Sequence, residues 1–148
     1  MSRRVRMSLV AAGVVVFVAT SFLLARFLLT ENVERDAIFS LLQTQARGDV
    51  RGMLARLDGC AQRPGCRATV AADAMRLRRP GDLKILLTTS HTAYSLTSAT
   101  GLTRVAWKVP SALPVVQCVL VHRQGNFFTG LSVNLLALSA PIPGTATC

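Results

Sequence analysis

The chain opens with a long apolar run. Residues Leu9–Ala25 carry no charge, and after Arg26 the apolar residues continue to Leu29. At a rise of about 1.5 Å per residue, a helix over 9–29 would cover about 30 Å, the thickness of the hydrocarbon core of a bilayer. The pattern predicts a retained transmembrane helix. A cleaved signal peptide is the alternative, although its apolar core is usually only ~7–15 residues long.

The charges beside this run predict its orientation. Arg3, Arg4 and Arg6 precede it without any acidic residue among them. Basic residues next to a membrane span stay on the cytoplasmic side. We therefore expect a protein of the cell membrane with a cytoplasmic tail at 1–8 and an extracytoplasmic domain at 30–148.

Beyond the apolar run the spacing becomes that of amphipathic helices. One helical face is formed by Val33, Ala37, Ile38, Leu41, Leu42 and Ala46. No proline or glycine separates this helix from the apolar run, so the two can form one long helix that ends near Gly48. Asp49 is a suitable N-cap for a short second helix. A third helix is expected at Arg67–Arg79, where Pro80 would stop it.

After Leu83 the apolar period changes to two, which is typical of strands. Four runs are predicted, separated by short turns: Leu83–Leu96, Leu102–Val109, Val115–Arg123 and Phe127–Ala140. Gln124–Asn126 is predicted to be the turn between the last two. The predicted fold class is α+β, with the transmembrane helix followed by two to three helices packed on a four-stranded antiparallel meander. Inward side chains of the sheet would be core or the wall of a small cup: Val105, Trp107, Val119 and Val133.

This order of elements resembles a known family. The segment Ala37–Leu57, AIFSLLQTQARGDVRGMLARL, is followed by a further helix and four strands. It resembles the cystatin-like α+β roll of the nuclear-transport-factor-two-like superfamily, which occurs in membrane-anchored proteins of bacterial envelopes. The resemblance would cover about Glu31 to Ile142. It implies a roll that serves as enzyme pocket, ligand cup or assembly module, and it selects none of these activities.

Four cysteines lie in the exported part. Outside the cytoplasm paired cysteines tend to form disulfides, and four of them allow three connectivities. Cys60 with Cys66 is the local pair around a Pro-Gly turn, and Cys118 would then bind Cys148 and hold the C-terminal tail. The spacing does not match the short paired motifs of zinc sites. A catalytic thiol at Cys118, with His122 on the same strand face, is the alternative.

The chain is strongly basic, with 17 Lys and Arg residues against 7 Asp and Glu. The densest cluster is Arg76, Arg78 and Arg79, at the end of the predicted third helix. It is either an ordinary solvated helix end or a surface for anionic lipid headgroups, wall polymers or an acidic partner. Nucleic acid is not expected as a partner, because aromatic residues that could stack on bases make up only 5% of the chain.

Catalytic chemistry is not indicated. Most of the exported carboxylates are expected at helix starts or turns, where capping and solvation explain them. The sequence has no H-E-x-x-H, G-x-S-x-G, phosphate-binding glycine loop or dinucleotide fingerprint. We therefore predict no catalytic residue, no metal, no cofactor and no enzymatic activity.

These patterns predict a single-pass bacterial envelope protein whose extracytoplasmic domain is a non-enzymatic binding or assembly module. Its partners would be the lipid bilayer and a protein of the cell envelope. Two alternatives stay open. A small apolar-ligand carrier would need a deep apolar cavity of several hundred Å³. A pilin-like subunit would assemble through the apolar helix, although the processing site of type IV pilins is missing.

Overall fold

The computed structural model describes residues 3–93, 98–126 and 130–148. The elements are α1 (Arg3–Arg47), α2 (Val50–Arg56), α3 (Pro64–Arg76), β1 (Lys84–Ser90), β2 (Ser98–Lys108), β3 (Val115–Asn126) and β4 (Gly130–Leu138). The strands form one antiparallel sheet in the order β1-β2-β3-β4. The predicted α+β class with a four-stranded antiparallel meander is confirmed.

The chain divides into two compact units, Met1–Val33 and Glu34–Cys148. Within the first, Val5–Ala25 has a mean hydropathy of 2.4, and none of its most apolar 18-residue window is buried. We call Val5–Ala25 the apolar segment. By length and composition it could cross a membrane. Its start lies four residues before that of the predicted span.

The second unit, Glu34–Cys148, is called the body. Its part of α1 buries four residues predicted on one helical face, namely Ile38, Leu41, Leu42 and Ala46. Val33, predicted on the same face, is 41% exposed because it precedes the body. α1 ends where Gly48 takes a φ of 76°, a conformation that glycine adopts without strain. As predicted, the Asp49 carboxylate caps α2 by accepting a hydrogen bond from the Gly52 N–H at 2.9 Å.

α3 begins earlier than predicted. The expected helix Arg67–Arg79 is observed as Pro64–Arg76, with a proline in its first turn. Proline suits this position because its fixed φ is helical and the missing N–H would have no partner within the helix. The Pro-Gly pair therefore starts a helix instead of forming a free turn. Val70 and Ala74 of α3 are buried in the core.

Strand ends also differ from the prediction. The first strand ends at Ser90, so His91, predicted within a strand, is an exposed residue directly after it. β3 continues through the predicted turn to Asn126, which pairs with Gly130. The parts of the predicted strands at 94–96 and 127–129 lie outside the described residues.

One face of the sheet packs on the helices. The alternation predicted for β2 is observed, with buried side chains at Thr103, Val105, Trp107 and Val109. Trp107 and Leu41 are both completely buried in this core. The indole Nε1 of Trp107 donates to Gln117 Oε1 at 2.9 Å, so its polar atom is satisfied. Val119 is also fully buried, and Val133 is partly buried against the core.

The C-terminal tail lies on the other face of the sheet. Ile142 forms an antiparallel bridge with Val116 of β3. The guanidinium of Arg104 donates to the carbonyl oxygens of Gly144 and Ala146, the latter at 3.0 Å. These contacts attach the tail to β2 and β3.

Candidate functional site

All four cysteines are in disulfides. Cys60 is bonded to Cys66 with an S–S distance of 2.05 Å, and Cys118 to Cys148 with 2.08 Å. Cys118 therefore carries no thiol, and the alternative of a catalytic thiol beside His122 is wrong. The imidazole Nδ1 of His122 lies 2.7 Å from the Thr100 hydroxyl oxygen instead.

The turn after α2 and the disulfide-closed loop that follows it contact the outer edge of β4. The Asp58 N–H donates to the Leu135 carbonyl oxygen at 2.7 Å, and Leu57 forms a parallel bridge with Leu135. The Arg63 guanidinium donates to the Leu136 carbonyl oxygen at 2.6 Å. An uncovered strand edge is a template for pairing with other chains, so these contacts protect the edge of β4 at Leu135 and Leu136.

A buried ion pair lies between α1 and the sheet. Glu34 and Arg123 are 2% and 4% exposed. Arg123 Nε donates to Glu34 Oε2 at 2.6 Å, and the Thr103 hydroxyl donates to Oε1 at 2.5 Å. Arg123 Nη2 also donates to the Ser90 hydroxyl oxygen at 2.9 Å. The four side chains connect α1, β1, β2 and β3, and we call them the polar cluster.

A second carboxylate is buried on α3. Asp73 is 3% exposed, and its Oδ2 accepts no hydrogen bond from any described residue. Desolvation by burial raises the pKa of Asp73 from 3.8 to about 6, while the nearby charge of Arg76 acts in the opposite direction. We expected most of the carboxylates at helix starts or turns, and Glu34 and Asp73 lie instead within α1 and in the last turn of α3. Their burial depends on tertiary packing, which local spacing does not encode.

The three arginines of the predicted basic cluster have different environments. Arg76 and Arg78 are exposed, and the stem of Arg78 lies over Gly48, with its Cδ 3.1 Å from the position a Cβ would take there. Arg79 is half-buried. Its Nη1 donates to the Leu113 carbonyl oxygen at 2.7 Å, and its guanidinium carbon lies 6.0 Å from the centre of the Trp107 ring. Arg79 therefore stabilises the fold, and the other two arginines face solvent.

A surface groove of about 320 Å³ lies between α1, α2 and β4. It is lined by Ala37, Ser40, Ala55, Arg56, Asp58, Val133, Asn134 and Leu135. The Arg56 guanidinium is held in its wall, donating to the Ser40 hydroxyl oxygen at 2.6 Å and to the Gly52 carbonyl oxygen at 2.9 Å. The groove mixes polar and apolar side chains.

Within residues 3–93, 98–126 and 130–148, no three His, Cys, Asp or Glu side chains gather in a way that could hold a metal ion. Comparison with protein-family models, curated proteins and solved structures found no significant match to this chain. The similarity to the cystatin-like roll therefore stays a prediction.

Proposed function

We propose that this chain is a single-pass membrane protein of the bacterial cell envelope, whose extracytoplasmic body is a non-enzymatic binding or assembly module. The proposal rests on one observation, which is that two features occur together in this chain. An apolar segment of 21 residues leaves its side chains outside any protein core, and a body braced by two disulfides follows it.

The exposure of the apolar segment supports insertion into lipid. Val10, Phe17 and Leu24 are 67%, 70% and 63% exposed. Large contiguous apolar surfaces require a covering, and a bilayer provides one for a helix of this length. The Thr20 hydroxyl suits the same environment, because it donates within the helix to the Val16 carbonyl oxygen at 2.7 Å.

The cysteines and the arginines support one orientation. Disulfides persist on the oxidising side of a membrane, so both bonds favour an extracytoplasmic body. Arg3, Arg4 and Arg6 precede the apolar segment and favour a cytoplasmic amino end. The two arguments are independent and agree.

The interior of the body favours a binding module over a ligand carrier. Trp107, Leu41 and Val119 are completely buried and occupy the space between helices and sheet that a ligand cup would need. The groove beside β4 lies at the surface and is partly polar. We include the cystatin-like roll in the proposal as the fold that this order of helices and strands would form.

Labelling of intact cells tests the proposal. The full chain is expected in the carbonate-resistant membrane fraction. A membrane-impermeant maleimide should label it only after an external reductant has opened the disulfides. A Ser2→Cys variant is the matched control, and its added thiol should stay inaccessible until the cells are lysed. Extraction by carbonate would refute the anchor, and labelling of the body cysteines only after lysis would refute the orientation.

A further inference from the structure

The two edges of the sheet differ in what covers them. At the outer edge of β4, the Asp58 N–H donates to the Leu135 carbonyl oxygen, and the Arg63 guanidinium donates to the carbonyl oxygen of the next residue. β1 lies at the other edge and pairs only with β2. In the part of the chain that the structure describes, no backbone hydrogen bond reaches the outer side of β1. The described residues thus protect one edge of the sheet and leave the other open.

The ladder between β1 and β2 shows which backbone groups face the open side. The His91 N–H, one residue past β1, donates to the Leu102 carbonyl oxygen of β2 at 2.9 Å. In an antiparallel ladder, alternate residues direct their N–H and C=O groups to opposite sides. Ser90 and Thr88, which lie one and three residues before His91 in this ladder, therefore direct these groups away from β2. They are free to pair with a further strand.

The side chains of β1 do little to protect this edge. From Ile85 to Ser90 the strand reads ILLTTS, without a charge or a proline. Edge strands of natural proteins commonly carry such residues to prevent pairing with other chains. The irregularity between Ile85 and Leu87 leaves two successive leucines outside the core, with Leu86 at 50% and Leu87 at 51% exposure. Beyond it, residues 87–90 pair regularly with β2, so the open edge is regular there.

The register places two lysines and a leucine on one face of the sheet. Trp107 is completely buried and faces the helices. Its neighbours along β2, Ala106 and Lys108, therefore lie on the opposite face. Their register partners on β1 are Leu87 and Lys84, so all four side chains share the face away from the helices.

The two lysines have no counter-charge of their own. Lys84 and Lys108 are register partners, and Cβ atoms in such a pair lie about 5 Å apart. Like charges placed directly opposite each other destabilise a sheet. Neither lysine forms a salt bridge with a described carboxylate. A negative group bound beside them would relieve this repulsion.

We infer that this edge binds an extended segment of another polypeptide, which carries an acidic side chain beside the two lysines. The binding surface, which we call the open edge, consists of Lys84, Leu87, Thr88, Ser90 and Lys108. The segment joins the sheet as a fifth strand, pairs its backbone with Thr88 and Ser90 and places an apolar side chain against Leu87. The inference deepens the proposed function and rests on it, because it names the class of partner that the exported body binds.

The charges favour a different polypeptide over a second copy of this chain. β1 contains no acidic residue, so a copy of β1 brings no negative charge to Lys84. An antiparallel copy centred on Thr88 would place its own Thr92 beside Lys84. The lysine pair would then keep its repulsion. An acidic partner removes it.

Photocrosslinking in intact cells tests the inference. The full chain is expressed with p-benzoylphenylalanine in place of Leu86, which lies at the open edge without belonging to its paired residues. We expect an adduct with a different polypeptide, and mass spectrometry should map it to a segment that contains Asp or Glu. The same photoreactive residue in place of Leu113 is the matched control, because that leucine is 82% exposed in the loop between β2 and β3.

Two sets of substitutions examine backbone pairing and charge separately. Thr88→Pro removes an N–H that faces the open side and leaves the ladder to β2 intact. It should lower the adduct yield about tenfold, because the added strand loses a hydrogen-bond donor. Lys84→Glu with Lys108→Glu keeps one like-charge pair in register but repels an acid, so it should lower the yield by more than about tenfold. Arg51→Glu with Arg67→Glu reverses two other exposed charges and should leave the yield unchanged.

Several outcomes would overturn the inference. A yield no higher than that of the Leu113 control would refute a partner at this edge, and an adduct with the chain itself would assign the edge to a second copy. An adduct that persists in Thr88→Pro would exclude strand pairing. Equal losses in the lysine and arginine variants would exclude a specific role of the lysine pair. Release of the chain by carbonate from the same cells would refute the proposed function, whereas retention without an adduct would refute the open edge alone.

Discussion

Glu34 and Asp73 are both buried carboxylates of the body, and their surroundings differ. Glu34 is 2% exposed and is bonded to Arg123 and Thr103. Asp73 is 3% exposed, and its Oδ2 has no hydrogen-bond donor among the described residues. A buried charge needs a paired charge or a proton. The first carboxylate has the paired charge. Burial raises the pKa of Asp73 to about 6, so the fold favours its protonated form more than the unfolded chain does.

The difference also separates two roles in the body. Glu34 is the first residue of the body and fixes α1 to β2 and β3 through side chains far away in sequence. Asp73 belongs to the last turn of α3. We therefore expect loss of Glu34 to weaken the whole body, whereas Asp73 should make its stability depend on pH.

The largest expected effect comes from breaking the ion pair. Glu34→Ala leaves the Arg123 charge in a site that is 4% exposed and removes the acceptor of the Thr103 hydroxyl. We expect the free energy of unfolding to fall by about 3–5 kcal/mol, because the buried Arg123 charge has lost the Glu34 carboxylate. Urea denaturation of the full chain in detergent micelles measures this loss.

The double variant is the control for this prediction. Glu34→Leu with Arg123→Met removes both charges and keeps apolar volume in the site. It should cost less than Glu34→Ala alone. If the double variant is the less stable of the two, the uncompensated charge is not the main cause of the loss.

The next effect is a gain in stability from Asp73→Asn. The pKa of this carboxyl is 3.8 in the unfolded reference and about 6 in the fold, so folding favours the protonated form. Protonation of Asp73 therefore stabilises the folded state. This contribution is fully present below pH 3.8, and it is lost as the pH rises to about 6 because ionisation favours the unfolded state. Near pH 7.5 the asparagine variant should be more stable than the wild type, on the order of 2 kcal/mol.

The control for this prediction is the pH dependence of the stability difference between Asp73→Asn and the wild type. At pH 3.5 the wild-type carboxyl is mostly protonated in both states, so the two proteins should have nearly equal free energies of unfolding. The difference should grow between about pH 4 and 6. A constant difference at all pH values would mean that the substitution acts through packing and not through ionisation.

The smallest expected effect concerns Arg76. Its positive charge lowers the pKa of Asp73 against the larger effect of burial. Arg76→Gln should therefore move the titration midpoint of Asp73 upward, which carboxyl chemical shifts in a pH series would measure. Arg78→Gln is the matched control and should leave the midpoint in place. Equal shifts in the two variants would contradict a specific electrostatic effect of the Arg76 charge on Asp73.

Much of the fold could be predicted because it depends on local patterns. The period of two along β2 identified the buried residues Val105 and Trp107, and Asp49 was recognised as an N-cap by its position before an amphipathic run. Element ends were less accurate. α3 begins at Pro64, since the proline that resembles a turn in the sequence also suits the first turn of a helix.

The polar cluster could not be predicted. Arg123 lies 89 residues after Glu34, and its place at the end of an alternating strand looks like that of any solvated arginine. Arg79 resembled its neighbours Arg76 and Arg78, yet it binds the loop at Leu113. The spacing of residues within one helix or strand does not identify their contacts with another element.

The apolar amino-terminal run, the order of helices and strands and the apolar face of the sheet can be predicted from local patterns, because each depends on the periodicity of neighbouring side chains. Which charged residues are buried follows from the packing of the elements on one another. That choice depends on partners such as Glu34 and Arg123, which become neighbours only when α1 packs on the sheet. The free energy of burying a charge depends on the groups that other elements place around it. The neighbouring residues in the sequence do not specify those groups.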